Sequence, residues 1–217
     1  MKLITFIIVL IGWVFSLCLH EFSHALVAYY GGDITVKDKG YLTFNPLKYT
    51  HPVYSLLMPM IFLMMGGIGL PGGAVYIETA RLRSREWKTA VSLAGPFSNA
   101  LLALIIGLIL QLSPITATGI WPGIAFLGLL QISAVVLNLI PLPPFDGFGA
   151  LEPYLSMDIR MKLNEMRGIL SWVVIIALWQ IPFIGNLFWG FVFFLANLAG
   201  VPLQLSALGY TQFLFWR

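Results

Sequence analysis

The N-terminal part of the chain contains the feature that most restricts its fold, an apolar run from Leu3 to Leu19 without a charged residue. The apolar pattern resumes at Phe22 and continues to Tyr30, where Gly31-Gly32 indicates the end of a helix. As one helix, this run would be about 42 Å long, which exceeds a hydrocarbon core of about 30 Å. Because no small-residue cleavage site follows, we expect a retained membrane-spanning helix rather than a signal peptide.

The composition indicates a membrane protein over the whole length of the chain. Hydrophobic residues make up 59% of the 217 residues and charged residues only 10%, whereas a soluble domain is about one quarter charged. We therefore predict a single multi-pass membrane domain over residues 1–217, in contact with the lipid bilayer of the cell membrane. The net charge of +3 is too small to indicate nucleic-acid binding, and the single cysteine, Cys18, excludes an internal disulfide.

Further apolar segments predict an all-α bundle of about four to six membrane segments. They cover residues 52–70, 90–112, 121–140 and 169–199, the last with a break around Pro182. Glycine and proline interrupt the first of these, so residues 52–75 are predicted to enter the membrane and return as a re-entrant segment. Residues 33–45 alternate and contain Asp-Lys-Gly, which predicts a small β-hairpin. Such a hairpin would either lie at the interface or hold an extended substrate by edge pairing.

Three ionisable residues lie together inside the first apolar helix: His20, Glu21 and His24. Each costs at least about 2.5–3.5 kcal/mol to place at membrane depth, so a compensating partner is expected. His20 and His24 are one helical turn apart on the same face, which lets both imidazoles reach one zinc ion. Glu21 can then hold a water by hydrogen bond and accept its proton, as in the H-E-x-x-H arrangement. The alternative is a hydrogen-bonded histidine pair in the bundle core with Glu21 as its counter-ion.

A catalytic zinc ion needs a third protein ligand, and Asp146 is the best candidate. It follows three closely spaced prolines that cannot continue a helix, Pro141, Pro143 and Pro144. Non-helical backbone near membrane depth is tolerated where protein or a water-filled cavity satisfies it, so a carboxylate on an extended segment here is well placed as a ligand. The alternative is an ordinary helix-end turn at the interface. His51 lies in a Tyr-Thr-His-Pro turn and is expected at the interface.

Three other polar residues near these motifs have more than one interpretation. Cys18 and Ser23 lack a base and an orienting group at the spacing of a catalytic triad, so we expect them to serve packing. Asn99, in Gly-Pro-x-x-Asn near the start of an apolar helix, would hydrogen-bond across helices, orient a metal ligand or bind substrate.

The two motifs can share a metal ion only if the chain brings them to the same side of the membrane. If residues 52–75 dip in and return, the C-terminal ends of helices 3–30 and 121–140 point the same way. Lys2 then lies opposite ten basic residues of the connectors, which are Lys37, Lys39, Lys48, Arg81, Arg83, Arg85, Lys88, Arg160, Lys162 and Arg167. By the positive-inside rule, the active-site end is predicted to face the cytosol.

Taken together, these motifs resemble the site-2 protease family of intramembrane zinc metalloproteases. The resemblance is carried by residues 20–24, 45–48, 94–99 and 138–147. It implies cleavage of transmembrane substrates within the bilayer and one zinc ion per chain, held by His20, His24 and Asp146 with Glu21 as the base. It also implies that Asn138 helps to receive the unwound substrate. The chain resembles a minimal catalytic core of that family, without a PDZ or CBS module.

Two other functions fit parts of the same pattern. A catalytically silent relative would bind zinc and membrane partners without needing Glu21. An ion or proton carrier with histidine and glutamate near the membrane midplane would need no zinc, but it would leave the proline-rich segment before Asp146 without a role. Substitution of Glu21 by glutamine separates the three, because only the protease predicts retained zinc together with lost cleavage.

Overall fold

The computed structural model describes residues 2–49, 75–214 and 216, and these contain helices and turns but no strand. The helices are α1 (Lys2–Gly31), α2 (Thr35–Asp38), α3 (Arg85–Leu112), α4 (Trp121–Asn138), α5 (Asp146–Leu151), α6 (Met157–Glu165), α7 (Arg167–Gln180), α8 (Pro182–Leu198) and α9 (Leu203–Phe213). Short 3₁₀ turns lie at Pro46–Lys48, Thr79–Arg81 and Glu152–Tyr154.

Three of the described helices, α1, α3 and α4, are long and apolar enough to cross a membrane. α7 and α8 pass the same test only as a pair, and they meet at an angle of 88°. The predicted break near Pro182 is confirmed, because Ile181 is extended and the proline begins α8, where its missing N–H is not needed. The described ranges thus hold three candidate spans, or four if the bent pair is one span. The predicted re-entrant segment covers residues 52–75, and all of it except Val75 lies outside the described residues.

The structure corrects the predicted β-hairpin at residues 33–45, since α2 and its flanking turns occupy this stretch. Asp33 is fully buried, and its Oδ1 accepts hydrogen bonds from both the backbone N and the Oγ1 of Thr35. Its Oδ2 accepts from the backbone N of Glu78 at 2.7 Å. A short acidic side chain that bonds the backbone two residues ahead favours a helical turn over an extended strand.

α3 packs against α1, α4 and α5. α4 also packs against α1, α8 and α9, so the helices that carry the predicted motifs are held from both sides. A core of buried side chains fills the space between these helices and includes Trp13, Leu110, Phe126, Val192 and Phe213. This packing fixes the rotation of α1 and α4 about their axes, and thereby the direction in which their polar residues point.

The proline-rich segment after α4 turns the chain back toward α3. α4 ends at Asn138, and α5 begins at Asp146 after the extended residue Phe145. Asp146 is therefore the first residue of a short helix, not part of the extended segment that the prolines predict. The Thr89 hydroxyl of α3 donates to the carbonyl of Ala150 at 2.8 Å and anchors α5 against α3.

Candidate metal centre

The three predicted ligand side chains meet between α1 and the start of α5. Nε2 of His20 and Nε2 of His24 are 3.0 Å apart. Oδ2 of Asp146 lies 3.2 Å from Nε2 of His20, and Oδ1 lies 3.5 Å from Nε2 of His24. Two atoms that each lie about 2.0–2.1 Å from a tetrahedral zinc ion are about 3.3 Å apart. The three side chains thus have the spacing of ligands that share one metal ion.

Hydrogen bonds on the far side of each imidazole determine which nitrogen is free for a metal. Nδ1 of His20 donates to Oδ1 of Asn99 at 2.6 Å, and Nδ1 of His24 donates to the backbone carbonyl of Val91 at 2.6 Å. Both acceptors belong to α3. With the proton on Nδ1, each Nε2 carries a lone pair, and this is the tautomer in which a histidine ligates a metal.

The two Nε2 atoms and the Asp146 carboxylate lack a compensating positive charge unless a cation lies between them. The two Nε2 lone pairs face each other, and their repulsion is relieved by a positive charge at the point where they converge. Oδ2 of Asp146 is buried and has no hydrogen-bond partner among the described residues. A buried carboxylate oxygen without a partner is costly, so this donor set of two imidazoles and one carboxylate fits a zinc ion.

Gly95 of α3 leaves the space in which these ligand atoms converge. A Cβ atom on Gly95 would lie 2.5 Å from Nε2 of His20 and closer still to Nε2 of His24. Real Cβ atoms do not approach other atoms so closely, so only glycine is compatible with both imidazoles in this position. Sequence reasoning treated Gly95 only as part of a Gly-Pro helix start and did not find this role.

Glu21 lies next to His20 in sequence but does not belong to the three-residue ligand cluster. It is buried, and its Oε2 accepts a hydrogen bond from the backbone N of Val75 at 3.1 Å. The contact joins α1 to the irregular segment 75–78, whose last residue, Glu78, donates its backbone N–H to the buried carboxylate of Asp33. A backbone donor from outside α1 thus holds one oxygen of this buried carboxylate in place.

The other residues singled out from the sequence lie at different places around this centre. Asn99 contacts His20 directly, which favours the ligand-orienting interpretation over a purely structural bond. Asn138 is buried at the end of α4, and the structure gives its side chain no hydrogen bond to another described residue. Ser23 donates to the carbonyl of Leu19 in its own helix, as a packing residue would. His51 lies outside the described residues.

Gln131 of α4 was missed by sequence reasoning, although it is an amide in the middle of a mostly apolar helix. Its Oε1 accepts a hydrogen bond from Nδ2 of Asn99 at 2.8 Å, and it is only 1% exposed. A line of hydrogen bonds therefore runs from α4 through Asn99 to His20.

Curated proteins similar to this chain bear the names of zinc metalloproteases. The chain is 44% identical over 212 residues to "Putative zinc metalloprotease Rip2" of Mycolicibacterium smegmatis. The matched region covers 97% of this chain and 81% of that protein. It is 43% identical over 213 residues to the protein of the same name from Mycobacterium tuberculosis, with the same coverage. It is 29% identical over 186 residues to "Putative zinc metalloprotease YwhC" of Bacillus subtilis, which covers 80% of each chain. No protein-family model and no solved structure matches the chain.

Proposed function

This chain belongs to the site-2 protease family of zinc metalloproteases, and we propose that it hydrolyses peptide bonds of transmembrane proteins within the lipid bilayer. The enzyme class and the need for zinc follow from the family. The assignment of individual residues and the intramembrane location of the reaction are our proposals, and they are supported by separate features of the molecule.

His20, His24 and Asp146 would hold the zinc ion, which supplies a Lewis acid that activates water and polarises the scissile carbonyl when it is bound. The 3.0–3.5 Å separations of their ligand atoms carry this assignment. Asn99 and the Val91 carbonyl would keep both imidazoles in the metal-binding tautomer.

Glu21 would act as the general base and then as the general acid. Its Oε2 is held by the backbone N of Val75, which leaves Oε1 to accept a proton from the attacking water. The same oxygen would deliver that proton to the leaving amine nitrogen when the peptide bond breaks. The side chain can serve this role because it is next to a ligand in sequence without belonging to the cluster of ligand atoms.

The intramembrane location is supported by the surroundings of the centre. α1 supplies both histidines and Glu21, α3 contacts both imidazoles, and α4 leads into the turn before Asp146. Among the described residues, these are the three helices that are each long and apolar enough to cross a membrane. A transmembrane substrate is helical and hides its carbonyl groups in hydrogen bonds, so it must unwind before cleavage. Substrates with glycine near the scissile bond should be preferred, because glycine lowers helix stability by about 1 kcal/mol relative to alanine. Asn138, buried at the mouth of the proline-rich turn, is our candidate for contacting the unwound strand.

The orientation in the cell membrane is supported by the position of the basic residues. The backbone N of Arg83 donates to the carbonyl of Gly31, which ties the start of α3 to the C-terminal end of α1. The bond between Thr89 and Ala150 brings the chain after α4 to the same end. Most basic residues of the described connectors therefore lie at the end that carries the centre, whereas Lys2 begins α1 at the other end. By the positive-inside rule, we propose that the centre faces the cytosol.

The deciding experiment compares zinc content and cleavage in purified full-length variants. We expect Glu21→Gln to retain zinc at the wild-type ratio while cleavage of a reporter transmembrane peptide in liposomes falls by at least about a hundredfold, as expected for loss of a general base that contributes about 10²–10⁴. His20→Ala should lose both zinc and cleavage. Glu165→Gln, an exposed residue of α6, is the matched control and should retain both.

Other outcomes would favour another function. Undiminished cleavage in Glu21→Gln would refute the assigned base. A wild-type protein that binds zinc but cleaves no transmembrane reporter would favour the catalytically silent relative. Proton or ion flux across liposomes that persists after zinc is removed would favour a carrier.

A further inference from the structure

We infer that Gln131 is a positioning residue of the metal centre, which acts through Asn99 to hold His20 in its metal-binding tautomer. The inference rests on the proposed function, because it assumes that His20 ligates the metal. Three helices take part: Gln131 belongs to α4, Asn99 to α3 and His20 to α1. The two contacts are 2.8 Å and 2.6 Å long.

The asymmetry of the Asn99 amide is the reason why a further residue is needed. One end of the amide is an oxygen that accepts, and the other end is a nitrogen that only donates. When the oxygen faces Nδ1 of His20, that nitrogen must carry the proton, and Nε2 is free to ligate. When the amide nitrogen faces Nδ1, the imidazole must accept there and carry its proton on Nε2, where it blocks the metal.

Gln131 supports the first of these two arrangements. Its Oε1 takes the hydrogen bond from Nδ2 of Asn99, so Oδ1 is the atom that faces His20. Asn99 and Gln131 are 5% and 1% exposed, so water cannot easily replace either partner. Without the Gln131 acceptor, the buried N–H groups of Asn99 would lack a partner, and Nδ1 of His20 would be the nearest alternative acceptor.

The bundle contains a second glutamine contact, partly buried, that serves as a control. Oε1 of Gln212 in α9 accepts a hydrogen bond from Oγ1 of Thr5 at 2.7 Å, and Thr5 is fully buried. Thr5 is fifteen residues before His20 on α1, which corresponds to about 22 Å along a helix. Gln131→Leu and Gln212→Leu therefore remove the same kind of acceptor, one beside the metal centre and one far from it.

The test is a titration of metal-free, purified full-length protein with Co²⁺, followed by its visible ligand-field absorption. We expect Gln131→Leu to weaken Co²⁺ binding on the order of tenfold and to change the absorption bands, because removal of partners outside the ligands costs about 10–100-fold in affinity. Gln131→Glu retains a carbonyl oxygen for Nδ2 of Asn99 and should restore most of the affinity. Gln212→Leu should bind Co²⁺ as the wild type does.

A second pair of variants keeps the inference falsifiable if Gln131→Leu folds poorly. Asn99→Asp replaces the amide with a carboxylate, which has two oxygen acceptors and therefore needs no orientation. In the Asn99→Asp background, Gln131→Leu should change Co²⁺ affinity by less than about threefold, well below the 10–100-fold range for outer partners. An equally large loss there would show that Gln131 acts on packing alone.

The outcomes separate this inference from the proposed function. If wild-type protein binds Co²⁺, His20→Ala abolishes binding, and Gln131→Leu binds as Gln212→Leu does, the inference is wrong and the metal site stands. If wild-type protein does not bind Co²⁺, or if His20→Ala leaves binding unchanged, the proposed metal site itself fails and the inference fails with it.

Discussion

The two halves of α1 are held in place by different kinds of contact. In the first half, Val9 and Trp13 are buried in the main apolar core, and the polar Thr5 contacts Gln212 of α9. In the second half, buried polar residues contact polar groups of other segments, as His20 does with Asn99 of α3. Apolar packing tolerates changes that preserve volume, whereas a directed hydrogen bond requires a particular atom at a particular place.

α3 shows the same difference between a polar end and an apolar end, at two glycines that lie twelve residues apart. A Cβ on Gly95 would collide with the two imidazoles, and a Cβ on Gly107 would collide with the backbone carbonyl of Ala199. The missing side chain of Gly95 makes room for the two imidazoles. The missing side chain of Gly107 lets α3 pack closely against the end of α8. We therefore expect substitutions at the polar end to change metal binding and substitutions at the apolar end to change stability.

The largest effect is expected from Gly95→Ala. Because the added methyl group occupies the space where both Nε2 atoms converge, metal affinity should fall by more than the 10–100-fold that is typical of removing a ligand's hydrogen-bond partner. Zinc content after purification and a competition titration with a zinc indicator measure the loss.

Gly107→Ala is the matched variant on the same helix. It should lower the free energy of unfolding by about 1–3 kcal/mol, as overpacking does, and leave the zinc affinity of the folded protein unchanged. If both variants lose metal to the same extent, or if Gly95→Ala binds zinc normally, the distinction between the two ends of α3 is contradicted.

The cluster of His20, His24 and Asp146 was predictable from the sequence, and Asn99 was one candidate for orienting it, whereas the roles of Gln131 and Gly95 beside it were not. His20 and His24 share a helix face through their spacing alone, and helix geometry is local. Asn99 reaches His20 only because α3 packs on α1 with one particular rotation, and Gln131 reaches Asn99 through a third helix. A single sequence contains no local signal for rotations that are set by packing over the whole bundle. An isolated amide within an apolar helix is the one clue that was available for Gln131.

The hairpin prediction failed for a related reason. Alternation around residues 33–45 is a local signal, but Asp33 bonds the backbone of Glu78, which is 45 positions further along the chain. That distant donor, together with the bonds to Thr35, stabilises a helical turn in place of the strand that the pattern favours. The long apolar helices were predicted well because their hydrophobic pattern extends over five or more turns, and no single contact can override it.

Phe126→Ala examines the apolar end through the ring contacts between α4 and α9. Phe126 contacts the rings of Tyr210 and Phe213, with centroids 5.6 and 5.8 Å apart. Each ring pair contributes about 0.5–1.5 kcal/mol beyond the burial of the side chain, and truncation of a buried phenylalanine to alanine costs about 3–5 kcal/mol in all, so we expect a loss of that size in the free energy of unfolding. Denaturant titration in detergent micelles measures the change, with zinc affinity as the control. A loss of zinc affinity in Phe126→Ala would mean that the apolar end is not energetically separate from the metal centre.

Thr5→Val tests whether the hydrogen bond between Thr5 and Gln212, at the apolar end of α1, contributes as much to stability as the hydrogen bonds at the metal centre. The change keeps the shape of the side chain and removes its hydrogen bond to Gln212. Hydrogen bonds between membrane helices contribute about 0.6 kcal/mol on average, so we expect a loss of that size and unchanged cleavage activity. A double-mutant cycle with Gln212→Leu isolates the pair. A coupling energy above about 2 kcal/mol, beyond the largest value typical of such bonds, would place this contact on a par with those at the centre.

The smallest effect concerns pH and the connector formed by residues 75–82, which contacts Glu21 and Asp33. Hydrogen bonds from Arg81 and Lys39 hold the pKa of Glu78 at about 2, below its ordinary value of 4.5. Because the folded pKa is lowered, the stabilisation is fully present above pH 4.5 and is lost as the pH falls toward 2. The contribution is small because Glu78 is partly exposed and its ion pairs are screened by solvent.

Backbone hydrogen exchange of residues 75–82, followed by mass spectrometry, measures this contribution. Protection relative to the intrinsic exchange rate should decrease below pH 4.5 in the wild type and should decrease less in Glu78→Gln. Asp33 contacts this segment in both proteins, so the difference between the two profiles isolates Glu78. The backbone N of Val75, in the same segment, donates a hydrogen bond to Glu21. If the connector opens as one unit, the loss of protection should extend to the Val75 amide. Identical profiles for wild type and Glu78→Gln would show that the ion pairs of Glu78 do not hold the connector against the bundle.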